Sequence, residues 1–236
     1  MRHTGAWCWV VAAPLLVGAT VIAGLPWNPA YSWSEGNLSD LGNAACGTWD
    51  TTRPRYVCSP WHGFMNAAIL VTAVLLAIGA ITLLRDRLAR VLLLLAAGGY
   101  ALAGAFPANV DQNAHFLGAA LILVVGNIGL VVAAFGLPNR PEWLSYWTLI
   151  MGSIALLGTV LFLSRAGLGI GVGGMQRIAV FPLLMWTFVV GLHTLASSSS
   201  FSGERRRMGS RSTPLRSLPL SSQEMPKAQT EMTSPR

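Results

Sequence analysis

The sequence has few charged residues. Only 11% of its 236 residues are Asp, Glu, Lys or Arg, and Lys227 is the single lysine beside fifteen arginines. Soluble domains carry about 25% charged residues, so this composition excludes an ordinary soluble protein. A mean hydropathy of +0.54 indicates an integral membrane protein instead. The arginine bias, with abundant Ala, Gly and Leu, is typical of a GC-rich bacterial genome, and we expect a bacterial plasma membrane.

The net charge of +7 does not indicate a nucleic-acid partner. Seven of the sixteen basic residues follow Gly203, in a segment without hydrophobic periodicity. Residues 198–236 are rich in Ser, Arg and Pro, with too few apolar residues to offset the entropy of ordering. We therefore predict a disordered basic cytoplasmic tail over 198–236 and no nucleic-acid binding.

Common catalytic motifs are also missing. The sequence contains no His-Glu-x-x-His, Cys-x-x-Cys or Gly-x-Ser-x-Gly pattern, which argues against the familiar zinc-enzyme and hydrolase classes. Gly169-Ile-Gly-Val-Gly-Gly174 matches G-x-G-x-x-G, but no strand precedes it, so it predicts a turn. We predict no metal site, although one held by Asp40, Asp111 and His115 is an open alternative. The sequence indicates no particular cofactor.

Six apolar runs are each long enough to cross a bilayer core of about 30 Å. They predict an all-α integral membrane protein, a six-transmembrane-helix bundle occupying residues 1–197. The runs are 7–25, 61–84, 89–106, 115–136, 143–164 and 178–197.

Arginine placement predicts the orientation, because cytoplasmic loops carry an excess of basic residues. With both termini inside, twelve basic residues fall inside and four outside. The turn containing Arg85, Arg87 and Arg90 contributes most to this bias. This topology makes 26–60 a long first extracytoplasmic loop. Cys46 and Cys58 both lie in that loop, and in an oxidising compartment we expect them to form a disulfide.

The polar stretch Tyr31-Ser-Trp-Ser-Glu-Gly-Asn-Leu-Ser-Asp-Leu-Gly42 stands out in this apolar chain. Ionisable groups at membrane depth are costly and are therefore functional candidates. Asp40, His115 and Arg177 come from separate segments but fall at the same outer interface in the predicted topology. As catalytic residues, Asp40 and His115 would transfer protons and Arg177 would stabilise an anion. The structural alternative, a salt bridge between Asp40 and Arg177, is equally open.

Further polar residues at the same depth are predicted to bind a ligand. They are Asn37, Ser39, Asn66 and Arg165.

The polar stretch and several later motifs resemble one known family. Tyr31-Ser-x-x-x-x-Asn-x-Ser-Asp-Leu-Gly42, Ser59-Pro60 with Met65-Asn66, Gly104-Ala-Phe-Pro107, His115 with Gly118-Ala119, and Gly169-x-Gly171 with Gln176-Arg177 and Pro182 are similar to the family called domain of unknown function 998. The resemblance covers nearly all of 10–195 and implies about six helices in a bacterial or archaeal membrane, with no settled activity. The family usually has Glu-Arg where this chain has Gln176-Arg177, so a carboxylate role at 176 is lost.

Two classes of function are open. The first is an enzyme acting on a lipid or isoprenoid at the outer interface. The second is a non-catalytic protein that binds, senses or transports a lipid or small solute. Membrane lipids are the expected partners in both, and the sequence does not indicate an oligomeric state.

Overall fold

A computed structural model describes the backbone of residues 1–135 and 141–209 and the side chains of 1–135 and 141–197. Six helices in this part of the chain are long and apolar enough to cross a membrane. The predicted all-α, six-helix membrane architecture is therefore confirmed. Arg140 and residues 210–236 lie outside the described residues. The last helix continues to Gly209, past the predicted boundary at 197, so the predicted disorder does not hold for 198–209 and stays a prediction for the rest of the tail.

Five of the six spans are single helices and the fourth is composite. The single helices are α1 (Arg2–Gly24), α2 (His62–Leu83), α3 (Arg87–Ala105), α6 (Glu142–Leu163) and α7 (Val172–Gly209). The fourth span runs through α4 (Gln112–Ala120), a π-helical segment (Leu121–Gly126) and α5 (Asn127–Phe135).

The last span begins earlier than its apolar run. Hydropathy alone starts this run at 178 because Gln176 and Arg177 are polar, yet both belong to the first turns of α7. Gly171, the residue before the first residue of α7, has a positive φ of 80°, a conformation that favours glycine. The helix therefore starts at Val172 and carries two polar side chains at its N-terminal end.

Two buried tryptophans connect the packed helices. Trp9 of α1 packs against Trp186 of α7 with the ring centroids 5.1 Å apart, and its indole N–H donates to the carbonyl of Leu76 in α2 at 3.2 Å. Trp186 donates to the hydroxyl of Thr148 in α6 at 2.8 Å. Both rings thus fill the core while their polar N–H groups are satisfied, as an apolar environment requires.

A polar cluster supports the π-helical segment at the centre of the bundle. The amide of Asn127 and the hydroxyl of Thr159 both donate to the Leu123 carbonyl, at 2.8 Å and 3.0 Å. Asn127 also donates to the carbonyl of Ala179 at 3.0 Å. These bonds join the fourth span to α6 and α7 and satisfy backbone that the widened turn exposes.

The segment between α1 and α2 forms most of one end of the bundle, here called the loop end. It contains a 3₁₀ helix, Leu38–Gly42, and an antiparallel hairpin of β1 (Gly47–Trp49) and β2 (Arg55–Val57). A disulfide between Cys46 and Cys58 joins the two sides of this hairpin. The starts of α4 and α7 lie at the same end, since Ala44 bonds to Asn109 and Ser34 to Gly174.

Candidate functional site

The polar stretch 31–42 docks on the start of α7. The Ser34 carbonyl accepts the N–H of Gly174 at 2.9 Å, and the side-chain oxygen of Gln176 accepts the N–H of Leu38 at 2.6 Å. The approach is very close, because a Cβ at Gly173 would lie 2.1 Å from the Gly36 carbonyl oxygen. The glycines before and within the start of α7 therefore serve backbone contact.

Arg177 holds this contact from the side of α7. Its guanidinium carbon lies 5.5 Å from the ring centroids of both Tyr31 and Trp33, within cation–π range. It donates to the carbonyls of Gly173 and Gly36 at 2.7 Å and 3.0 Å and to the Tyr31 hydroxyl at 2.5 Å. Burial raises the pKa of Tyr31 to about 12, although the Arg177 charge acts to lower it. Tyr31 therefore stays protonated and donates in turn to the Gly36 carbonyl.

Asp40 pairs with Arg55 and not with Arg177. Its two carboxylate oxygens accept from Nε and a terminal nitrogen of Arg55, both at 2.7 Å, and it also accepts the N–H of Asn37 at 2.8 Å. Only 3% of Asp40 is exposed. Burial opposes the charge of Arg55, but the bonds and charge of Asp40 outweigh that effect and raise the pKa of the guanidinium.

A second arginine of the hairpin reinforces the same segment. Arg53 donates to the carbonyl of Glu35 at 2.6 Å and to its carboxylate at 3.2 Å. It also donates to the side-chain oxygen of Asn37 at 2.7 Å. The hairpin thus holds the polar stretch with two arginines, each of which has a carboxylate partner.

A pocket of about 270 Å³ opens between the polar stretch, the hairpin and the segment that follows α1. We call it the loop pocket. Its walls combine paired charges with aromatic rings. Its charged and aromatic wall residues are Trp27, Tyr31, Glu35, Asp40, Arg53, Arg55 and Tyr56.

His115 lines a different and smaller space. This bundle cavity, about 60 Å³, has largely apolar walls and four polar residues: Ser39, Tyr100, His115 and Gln176. The Nδ1 of His115 lies 3.0 Å from the Phe106 carbonyl, which can only accept, so Nδ1 carries the proton. The hydroxyl of Tyr100 is buried without a hydrogen-bond partner among the described residues. Asp40 lines the loop pocket and His115 the bundle cavity, so the two share neither space.

Comparison with known proteins gives a family. The model of a family described as a protein of unknown function, DUF998, matches residues 10–193. The chain belongs to the DUF998 family. The matched region includes the loop pocket and the bundle cavity. No curated protein and no solved structure matches the chain.

The other residues singled out in this DUF998 chain have separate contacts at the loop end. Asn66 donates to the carbonyl of Gly42 at 2.9 Å. Arg165 is half exposed and lies 3.8 Å from the carboxylate of Asp50. Asp111 caps the first turn of α4. In the part of the chain that the structure describes, no three His, Cys, Asp or Glu side chains come together as a metal site would require.

Several residues of this DUF998 member were missed as site candidates, among them Arg53, Tyr56, Arg55, Tyr100 and Trp27. Arg55 follows the turn residues Asp50 and Pro54, which are typical of a hairpin, but no sequence spacing pairs it with Asp40. Tyr100 is a hydroxyl in the middle of an apolar run, which is the usual sign of a buried polar role. Trp27 gave no separate signal, because tryptophans at helix ends are expected at a membrane interface.

Proposed function

We propose that the protein binds the headgroup of a membrane lipid in the loop pocket. The observation that carries this proposal is the pocket itself, about 270 Å³ with charged and aromatic walls. That volume is close to the lower limit of about 300 Å³ for small-molecule sites. Trp27 lies just past the end of α1 at Gly24, so the pocket is at the level where lipid headgroups meet a spanning helix.

Binding fits the geometry better than proton transfer from Asp40. Three short hydrogen bonds occupy its carboxylate, two of them from the cation of Arg55. The terminal nitrogens of Arg177 are likewise occupied by backbone carbonyls and the Tyr31 hydroxyl, and its Nε is buried. These residues shape and hold the loop, which is what a preformed binding site needs.

We further infer that the loop end faces the outside of a bacterial plasma membrane. The basic turn with Arg85, Arg87 and Arg90 belongs to the opposite end of the bundle, where an inner location satisfies the positive-inside rule. After mild reduction of intact cells, a membrane-impermeant maleimide should react with Cys46 or Cys58. Reaction only after the cells are permeabilised would overturn this orientation.

Lipid retention tests the binding proposal directly. The full chain is purified from its membrane, exchanged into a detergent, and examined by native mass spectrometry. We expect the protein to retain lipid, and Tyr56→Ala to reduce retention because it removes an exposed ring from the pocket wall. Trp61→Ala is the matched control, since Trp61 is a similarly exposed ring outside the pocket. Equal retention by both variants, or none by the wild type, would overturn the proposal.

A second candidate function rests on His115. Because Nδ1 is protonated, Nε2 of the neutral ring is the basic nitrogen, and His115 lines the bundle cavity with Ser39 and Tyr100. This arrangement would suit proton abstraction from a lipid or isoprenoid hydroxyl. The test is His115→Gln in the host, with the membrane lipid profile measured beside protein abundance. Normal abundance with a changed lipid species supports an enzyme, and normal abundance with an unchanged profile excludes this role in that host.

A further inference from the structure

The charges in the loop pocket cancel. Arg53 lies 3.2 Å from the Glu35 carboxylate, and Arg55 binds Asp40 through two bonds of 2.7 Å. A phosphate or ammonium group could gain a counterion here only by breaking one of these pairs, which leaves a partly buried charge unpaired. The pocket therefore favours a headgroup without net charge.

A nearby cation does not change this conclusion. Arg177 has no carboxylate partner in the described part of the chain, but it lies outside the walls of the loop pocket. Its terminal nitrogens donate to the Gly36 and Gly173 carbonyls and to the Tyr31 hydroxyl, and its buried Nε–H has no partner among the described residues. No unpaired charge of either sign thus faces the pocket from the residues that line it.

The hydrogen-bonding groups suit hydroxyls. The walls present guanidinium donors next to carboxylate acceptors, and a hydroxyl can donate to the carboxylate and accept from the guanidinium. The Glu35 carboxylate is the more open of the two acceptors, since 59% of its side chain is exposed, against 4% for Asp40. Ligand hydroxyls should therefore bond chiefly to the pair formed by Glu35 and Arg53.

The shape and size of the walls suit a ring. Trp27, Tyr31 and Tyr56 line the pocket with Pro29 and Pro54, and such flat, weakly polar surfaces pack against the C–H face of a saturated ring. The volume of about 270 Å³ is just below the lower limit of about 300 Å³ for small-molecule sites. This is room for one sugar ring and a few waters, but not for an acyl chain.

We propose that the loop pocket recognises a neutral sugar ring, presented as the headgroup of a glycolipid or as a free sugar. The inference rests on the proposed binding of a lipid headgroup and names its chemical class. Both sources offer the same polyhydroxylated ring, so only an experiment that supplies each separately can distinguish them.

The test uses the full chain in phosphatidylcholine nanodiscs, prepared without sugar-based detergents because their headgroups would compete. Separate nanodiscs contain a minor fraction of glucosyl diacylglycerol or of phosphatidylglycerol, and lipid bound to the protein is measured by native mass spectrometry after release from the disc. Methyl glucoside is titrated by calorimetry into protein in plain discs. We expect enrichment of the glucosyl lipid over phosphatidylglycerol by about tenfold, with little effect of salt. Binding of methyl glucoside would identify the free sugar as a sufficient ligand, and its failure beside glycolipid enrichment would identify the lipid.

Two variants sharpen the result. Tyr56→Ala should lose the enrichment, whereas Trp61→Ala should keep it, since only Tyr56 lines the pocket. Glu35→Gln leaves Arg53 without its carboxylate partner, and the preference should shift towards the anionic phosphatidylglycerol. Wild-type preference for phosphatidylglycerol, or enrichment that survives Tyr56→Ala, would overturn the sugar assignment. Retention of another lipid without preference for the sugar would overturn the sugar assignment but leave the proposed lipid binding intact. Loss of all retained lipid would overturn both the sugar assignment and the lipid binding.

Discussion

Substitution of Gly173 by alanine tests the docking of the polar stretch on α7. The added Cβ would lie 2.1 Å from the Gly36 carbonyl oxygen and 2.9 Å from that of Ser34. Both neighbours are backbone atoms, so relief requires movement of the loop or of the helix start. That movement strains the hydrogen bond from Gly174 to Ser34 and the bond from Arg177 to Gly36.

The size of the effect follows from two terms. Overpacking costs about 1–3 kcal/mol, and each hydrogen bond lost adds about 1 kcal/mol. With both bonds lost, we expect Gly173→Ala to lower the free energy of unfolding by about 3–5 kcal/mol. Gly63→Ala is the matched control: Gly63 is likewise the second residue of its helix, but a Cβ there meets nothing within 4 Å. Helix propensity should make this control neutral or stabilising by up to about 1 kcal/mol.

Thermal unfolding in nanodiscs, combined with amide hydrogen exchange over residues 31–42, measures both variants. Gly173→Ala should lower the melting temperature and speed exchange in the polar stretch, whereas Gly63→Ala should do neither. Equal behaviour of the two variants would refute the close backbone contact between the stretch and α7.

Three further predictions concern the hairpin. Arg55→Gln should destabilise the protein by about 3 kcal/mol, because it leaves the buried carboxylate of Asp40 with one hydrogen bond. Arg165→Gln, at a half-exposed ion pair, should cost less than about 1 kcal/mol. Similar losses for the two variants in thermal unfolding would contradict this. The bonds from Thr52 lower the pKa of Asp50 to about 2, so its contribution to stability is complete above pH 3.8 and is lost as the pH falls towards 2. Hydrogen exchange of the hairpin should therefore speed up over that interval, and Asp50→Asn should remove this pH dependence. Replacing Cys46 and Cys58 by serine should destabilise the hairpin by roughly 3 kcal/mol and expose its tip to protease; unchanged cleavage would show that the disulfide does not hold it.

The architecture could be predicted from sequence because apolar runs of membrane length have few alternatives. The six helices and the family follow from hydropathy and from motifs such as those around Asp40 and Gly171. The importance of the polar stretch was also evident, since such a segment in an apolar chain must be satisfied by local partners. Its specific contacts were not evident, because they depend on how three loops meet.

The pairing of charges illustrates this limit. Asp40 and Arg177 are far apart in sequence, and their opposite charges suggested a bridge. The hairpin brings Arg55 closer, and its planar guanidinium meets both oxygens of Asp40. Arg177 is instead held by two rings and by carbonyls, a combination that no sequence spacing encodes. Likewise, the separation of His115 from Asp40 depends on the 3₁₀ helix. Its consecutive residues Ser39 and Asp40 line different spaces, the bundle cavity and the loop pocket.

The most direct test of headgroup binding is photo-crosslinking in the living membrane. A benzophenone amino acid is placed at the position of Tyr56, in the wall of the loop pocket, or at that of Trp61, outside it. After irradiation, the lipid adducts are identified by mass spectrometry. Headgroup binding predicts that one lipid class is strongly enriched in the adducts at position 56, whereas those at position 61 match the bulk membrane. The same bulk mixture at both positions, or no lipid adduct at position 56, would contradict it.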